Sequence, residues 1–383
     1  MKLSYSKIGL SCALPVLIFG ESVLGFSVSS LSASTTRIAT TQLQMACWSD
    51  SKAVMDYQNF LSSGKQEIER KADGPSVIIV PSGSSNDMAH ALLTMGMGDD
   101  IVLTKGDLLP AEIGGSPEYP IYICLPPTEI EDFLRNLSDN FKQHNEDFVF
   151  FSGGPYFGNI EDVLKSVGYC RDTMTQVLVS GLEVSGPARI IKDVSVKLGT
   201  DAVGEEKLAG ECAACGKWNG AIGKRMERSD VRCSVDFYRD WRRKMWERNV
   251  LDAVFNLVGA VREEPTSVKD VANYYDEEVS DMAWEVSGSL RGWKAVTLMF
   301  GFEERLFGVA ENSSPEAACS LDESMYPFIL GSRVFEDSPM INEYLWFAKE
   351  NCGLLSSVEL PPKRAKDGKS IMRKGNLRAD GVL

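Results

Sequence analysis

From Val77 the chain reads Val77-Ile78-Ile79-Val80 and then Pro81-Ser82-Gly83-Ser84-Ser85-Asn86-Asp87. An unbroken apolar run entering a turn of small and polar residues constrains the fold more than any other feature. Four β-branched residues between Gly74-Pro75 and that turn predict a strand buried on both faces. The next residues, Asp87-Met88-Ala89-His90-Ala91-Leu92-Leu93, carry helical spacing; Gly96-Met97-Gly98 ends it, and Ile101-Val102-Leu103 resumes as strand. Further apolar runs stand at 121–125, 148–151, 176–179 and 194–198, with the helix-like stretches EIEDFLRNLSDNF and NIEDVLKSV between them. Strand and helix in alternation predict a mostly parallel sheet.

Beyond 199 the pattern changes to long amphipathic stretches, DFYRDWRRKMWERNVLDAVFNLVGAV and SVKDVANYYDEEVSDMAWEVSGSL among them, which predict helices to about 353. A chain of 383 residues exceeds the roughly 250 at which single cores stop growing. The expected class is therefore α/β: a Rossmann-like parallel sheet domain at 74–200 followed by a mainly α-helical domain at 201–360. Before them lie an N-terminal extension at 47–73, helix-like around 56–71, and a presequence at 1–46. The tail at 361–383 is basic and reads as disordered.

Net charge and side-chain inventory narrow the chemistry. A net charge of -14 argues against a general nucleic-acid binder. Of nine cysteines only Cys212 and Cys215 form a CxxC, with no second pair or histidine cluster to complete four zinc ligands, and ECAACGKW reads as two small residues on a helix. The two histidines, His90 and His144, stand beside no plausible Ser or Cys nucleophile, so triad hydrolysis and His-based zinc chemistry are disfavoured. Chemistry has to run on Lys, Arg, Asp, Glu, Asn or Ser.

The N-terminus reads as an address. Lys2 and Lys7 precede the apolar run 8–19, too short to span a membrane, and Val23-Leu24-Gly25 offers small residues for cleavage. Residues 26–49 contain no acidic residue, one Arg37 and many Ser and Thr. Signal then transit composition, with Phe26 at the junction, resembles the bipartite plastid presequences of diatoms and related algae. The implied location is the plastid stroma, with secretion or an endomembrane lumen as the alternative and no membrane contact in the mature form.

A dinucleotide loop uses three glycines for a tight turn, close approach to the pyrophosphate and helix packing. Here those places hold Pro81, Gly83 and Asn86. Further on, Trp246-Glu247-Arg248 opens a helix in which Arg248, Asp252 and Asn256 recur every fourth residue and share one face. Ser324-Met325 is followed twelve residues after that Ser by Glu336. These stretches, over about 74–361, resemble the ketopantoate reductase family. That family has a Trp before a catalytic Lys, two substrate-binding Asn at four-residue steps, and a Ser-Met pair followed by a substrate-binding Glu. SGGPYFGNIEDVL lies where the family has an Asn-Gly-x-Gly loop, with Ser152 or Gly153 at the Asn place.

The resemblance implies reduction of a small 2-keto acid or related carbonyl compound with NADP(H), the cofactor lying between the domains. Carried over by position, the catalytic set is Lys244, Arg248 and Glu336, the substrate set Asp252, Asn256 and Ser324, and the cofactor set Pro81, Gly83, Ser84, Asn86 and Lys105. Lys105 falls where the family has a basic residue near the extra phosphate of NADP, and no acidic residue ends that strand to favour NAD. Arg248 stands at the proton donor's place, yet a guanidinium keeps its proton; it is suited to polarising a carbonyl or gripping a carboxylate. Asp252 repels a carboxylate and pairs with Arg248 at i,i+4, while Lys244, one turn earlier, is the substitute acid. Three readings follow: a reductase acting on a small molecule, as a homodimer; an impaired scaffold or cofactor sensor with the same two-domain shape; and an amino- or hydroxy-acid dehydrogenase of the wider family.

Overall fold

The computed structural model describes residues 68–364, apart from 83–85, 154–157, 170–173, 187–188, 201–203, 205 and 317. The presequence, most of the extension and the tail beyond 364 lie outside the described residues. Strand β1 (Val77–Val80) leads into helix α1 (Asp87–Met95), and β2 (Ile101–Thr104), β3 (Ile121–Ile123), α2 (Pro127–Arg135), α3 (Asp139–Lys142), β4 (Phe148–Ser152), α4 (Glu161–Ser166) and β5 (Thr175–Leu178) follow. The strands lie in the order β2-β1-β3-β4-β5, every pair parallel. Val77 and Ile79 pack with the α2, α3 and α4 side while Ile78 packs with α1, so the apolar run is buried on both faces. Helices cover both sides of a parallel sheet, as the alternation requires.

Two hairpins then leave the sheet: β6 (Leu182–Ser185) with β7 (Ile190–Asp193), and β8 (Val196–Thr200) with β9 (Glu206–Ala209). The expected strand near 194–198 is therefore real but pairs outside the main sheet. The sheet also does not end at 200. Strand β10 (Cys212–Cys215) joins β5 antiparallel, α5 (Asn219–Arg228) packs against α1, and β11 (Cys233–Val235) adds itself parallel to β10. Two expectations are corrected here: 201–236 is not helical throughout, and Cys212-Ala213-Ala214-Cys215 is a fully buried strand and not part of a helix. Small residues there let β10 sit beneath α6 and α5, a packing demand that local propensity does not carry. Among the described residues no group of His, Cys, Asp and Glu is placed to hold a metal ion.

The remaining elements are helices: α6 (Tyr238–Ala260), α7 (Val268–Tyr274), α8 (Asp276–Lys294), α9 (Phe302–Glu311), α10 (Tyr326–Ile329), α11 (Arg333–Glu336) and α12 (Pro339–Asn351). Ser267 and Asp270 form a capping box at the start of α7. Val250, Ala253, Val254, Leu257 and Val258 are fully buried, so the second half of α6 is the axis around which the other helices pack. Its first half lies on the sheet, where Trp241 Nε1 donates to Ala213 O at 3.2 Å and shares a core with Leu178 and Cys215. Two ion pairs fasten the halves: Glu161 of α4 with Arg242 of α6, and Asp162 with Lys294 at the end of α8. Among the described residues no helix is long and apolar enough to cross a membrane.

Candidate functional site

Helix α6 crosses from the middle of the sheet toward the carboxyl ends of the parallel strands. Trp241 meets β10, Met245 borders a narrow void with Ser152 of β4, and the Arg248 stem lies 3.4 Å from where a Cβ on Gly153 would stand. Gly153 holds φ +75°, and its added Cβ would also fall 2.8 Å from Leu178 Cδ1. The positive φ and the packing of Leu178 against this position require a glycine there.

Beside this crossing a cleft of about 590 Å³ opens between β5, the β8–β9 hairpin, α6 and α9. Lys244 and Arg248, one helical turn apart, both line it. Lys244 Nζ reaches Glu211 Oε1 and Ser234 Oγ at 2.7 Å and Asp236 Oδ2 at 2.9 Å. Burial, the largest influence on this ammonium, favours loss of its proton, but the Glu211 and Asp236 carboxylates more than offset it and its pKa is raised. Arg248 Nε donates to Asp252 Oδ1 at 2.9 Å. Burial pushes the Asp252 carboxyl up against the opposing pull of Arg248. Glu247 is likewise raised by burial although it pairs with Arg305 across the cleft.

The other substrate positions are not on this lining. Asn256 turns its amide back to Asp252 O at 2.8 Å and accepts from Ser320 N–H at 3.4 Å. Ser324 is exposed and donates to Asp322 Oδ1 at 2.8 Å. Glu336 sits on α11, raised by burial and by Asp337 against Arg333 and Arg364, and its charge is felt by Tyr326 of α10. The face shared by Arg248, Asp252 and Asn256 is thus real, but Arg248 alone of the three reaches the cleft. Four contributors were not anticipated: Glu211, Asp236, Glu247 and Arg305 come from β9–β10, the end of β11, α6 and α9.

On the other side of the parallel strands, α1 begins at the carboxyl end of β1, where a helix N-terminus can receive a phosphate. Asn86 already uses that place: its Oδ1 accepts from Ala89 N–H at 3.0 Å and its Nδ2 donates to Cys124 O, just past β3, at 2.7 Å. Pro81 has no N–H to offer. Gly83 and Ser84 lie outside the described residues. Lys105, at the end of β2, pairs with Glu129 of α2 at 3.2 Å. Any ligand at this helix N-terminus has to displace the Asn86 bridge, and one at Lys105 has to displace its pair with Glu129. From β1 to β5 is three strand spacings, about 14 Å.

No protein-family model and no curated protein matches the chain. Solved structures do. The 2-dehydropantoate 2-reductase from Methylococcus capsulatus is 12% identical and aligns over 75% of this chain and 99% of its own with TM-score 0.45. D-mandelate dehydrogenase in complex with NADH is 10% identical over 75% of this chain and 100% of its own, TM-score 0.44. The probable 2-dehydropantoate 2-reductase of Bacillus subtilis is 13% identical over 75% and 100%, TM-score 0.44. The architecture itself, a largely parallel sheet followed by helices, stands on the strand order and element order of this chain.

Proposed function

We propose that the chain is a nicotinamide-dependent oxidoreductase that reduces a small polar carbonyl compound in the cleft beside α6, with NADPH as the reductant. The observation that carries this reading is the pairing of Lys244 and Arg248 on one cleft at the strand ends. When bound, the cofactor supplies the hydride. The chain has to supply a proton and a grip on the carbonyl. Lys244 holds a proton at Nζ among Glu211, Asp236 and Ser234 and is the group that can release it to a substrate oxygen. Arg248 keeps its proton and polarises the oxygen. Lys105 is suited to the extra phosphate, because leaving an exposed partner such as Glu129 costs under about 1 kcal/mol.

The first experiment is titration of the full chain with NADPH, followed by NADPH oxidation with a panel of small carbonyl compounds. Asn86→Gly is expected to tighten NADPH binding roughly fivefold, the worth of about 1 kcal/mol for a hydrogen bond no longer displaced. Absence of saturable NADPH binding in both proteins would sink the reading. A second reading, a two-domain binding protein without turnover, is favoured by the neutralisation of Arg248 by Asp252. It predicts NADPH binding with no oxidation by any carbonyl compound.

A further inference from the structure

Strand β11 is three residues long and closes the sheet at its outer edge, paired with β10. The parallel register sets Cys233 directly opposite Cys212, and Cys212 N–H donates to Arg232 O at 3.2 Å beside the pair. Register partners on neighbouring strands share a face and stand about 4.8 Å apart at Cα, inside the range of about 4.4–6.8 Å that a disulfide spans. Both thiols are free, and both pack in the apolar cluster under α5. Cys215, three residues along β10, packs in the other cluster beneath α6. The CxxC of the sequence is therefore split between two faces of the sheet, and the partner of Cys212 comes from the next strand.

Access differs between the two. Cys212 is fully buried, whereas Cys233 is partly exposed and lines a cavity of about 400 Å³ between α5 and β11. Arg70, Lys224, Glu227, Asp230 and Arg232 stand around that cavity. We propose that Cys212 and Cys233 form a thiol–disulfide exchange site, in which a small disulfide entering this cavity oxidises the pair to a bond between β10 and β11. The Cys233 thiolate attacks one sulfur of the incoming disulfide, whose S–S bond breaks, and the departing thiolate takes up a proton. Cys212, deprotonated in turn, attacks the Cys233 sulfur and releases the second small thiol. Two protein thiols become one disulfide, the small disulfide becomes two thiols, and the two protons pass from the protein to them. A short edge strand held on one side can make the small shift that bond formation asks. Burial, then the neighbouring Cys212 and the Glu211 and Asp236 carboxylates, hold the Cys233 thiol well above its ordinary value against the pull of Lys244. Exchange is therefore slow at neutral pH and quickens as the thiolate forms. Neither thiol lines the cleft beside α6, so the site is independent of the proposed reduction.

Incubation of the full folded chain with hydroxyethyl disulfide, followed by blocking of the remaining thiols and peptide mapping without reduction, tests it. The expected product is a linked pair of peptides carrying Cys212 and Cys233, which dithiothreitol separates. Its rate of formation should rise about tenfold per pH unit from about pH 7 to about pH 9, in step with the thiolate fraction of Cys233. Cys212→Ala removes the second thiol, so Cys233 should keep the small thiol as a stable mixed disulfide. Cys233→Ser should leave Cys212 unmodified, because the cavity then presents no thiol. The proposal is overturned if no Cys212 to Cys233 link forms while circular dichroism shows the chain still folded, or if the link forms only in urea. A mixed disulfide that persists on Cys233 of the unaltered chain, a link from Cys212 to Cys215, or a rate indifferent to pH overturns it as well. If either variant does not fold, the linked peptides and the pH dependence of the unaltered chain decide the matter.

Discussion

Replacing Arg242 by Met tests how the two halves of the molecule are held together. Arg242 Nη2 donates to Glu161 Oε2 at 3.0 Å, its Nε to Glu161 Oε1, and its Nη1 to Lys294 O at 2.8 Å. Glu161 is 1% exposed and Arg242 8%. Arg242→Met keeps most of the side-chain volume but leaves the Glu161 carboxylate buried without its cation and Lys294 O without that donor. Removal of one member of a buried pair costs about 3–5 kcal/mol. At about 2–4 °C per kcal/mol for chains of this order, the thermal midpoint should fall by roughly 6–20 °C. Replacing both partners, Arg242→Met with Glu161→Leu, removes the orphaned charge and should recover to within about 1 kcal/mol of the original. Scanning calorimetry and urea unfolding measure both. Because the pair joins α4 to α6 across the two halves, the single variant should also broaden or split the calorimetric transition. A loss below about 1 kcal/mol, the range of an exposed pair, or a double variant no better than the single, would refute the reasoning.

Other consequences are as direct. The stability that Lys244 contributes is fully present below its ordinary pKa near 10.5 and is lost as pH rises through its raised folded value. The stability gap between the original chain and Lys244→Met should therefore hold constant at neutral pH and narrow at strongly alkaline pH; a gap that widens with pH contradicts the ion-pair assignment. Gly158 holds φ +76°, and a Cβ there would lie 2.2 Å from Phe328 O. Gly158→Ala should lose at least about 2 kcal/mol in urea unfolding, and a loss within 0.5 kcal/mol, about the level of a surface change, would mean that the loop does not dock on α10 as described.

The sequence by itself determined the parallel half of the fold and the helical half. The runs 77–80 and 148–151 are apolar without a break, and only a strand covered on both faces satisfies them. The four-residue spacing of Arg248, Asp252 and Asn256 likewise placed them on one face of a helix, since that follows from 3.6 residues per turn alone. Tertiary structure decided the rest. Cys212-Ala213-Ala214-Cys215 has no strong strand preference; it becomes β10 because small side chains let α6 lie on one face and α5 on the other. Which members of the α6 face reach the cleft depended on the β8–β9 hairpin and α9 that close around that helix. Glu211, Asp236 and Arg305 meet Lys244 and Glu247 across separations in the chain that no local period encodes. Spacing is a property of one helix, whereas a cleft is a property of the elements that close around it.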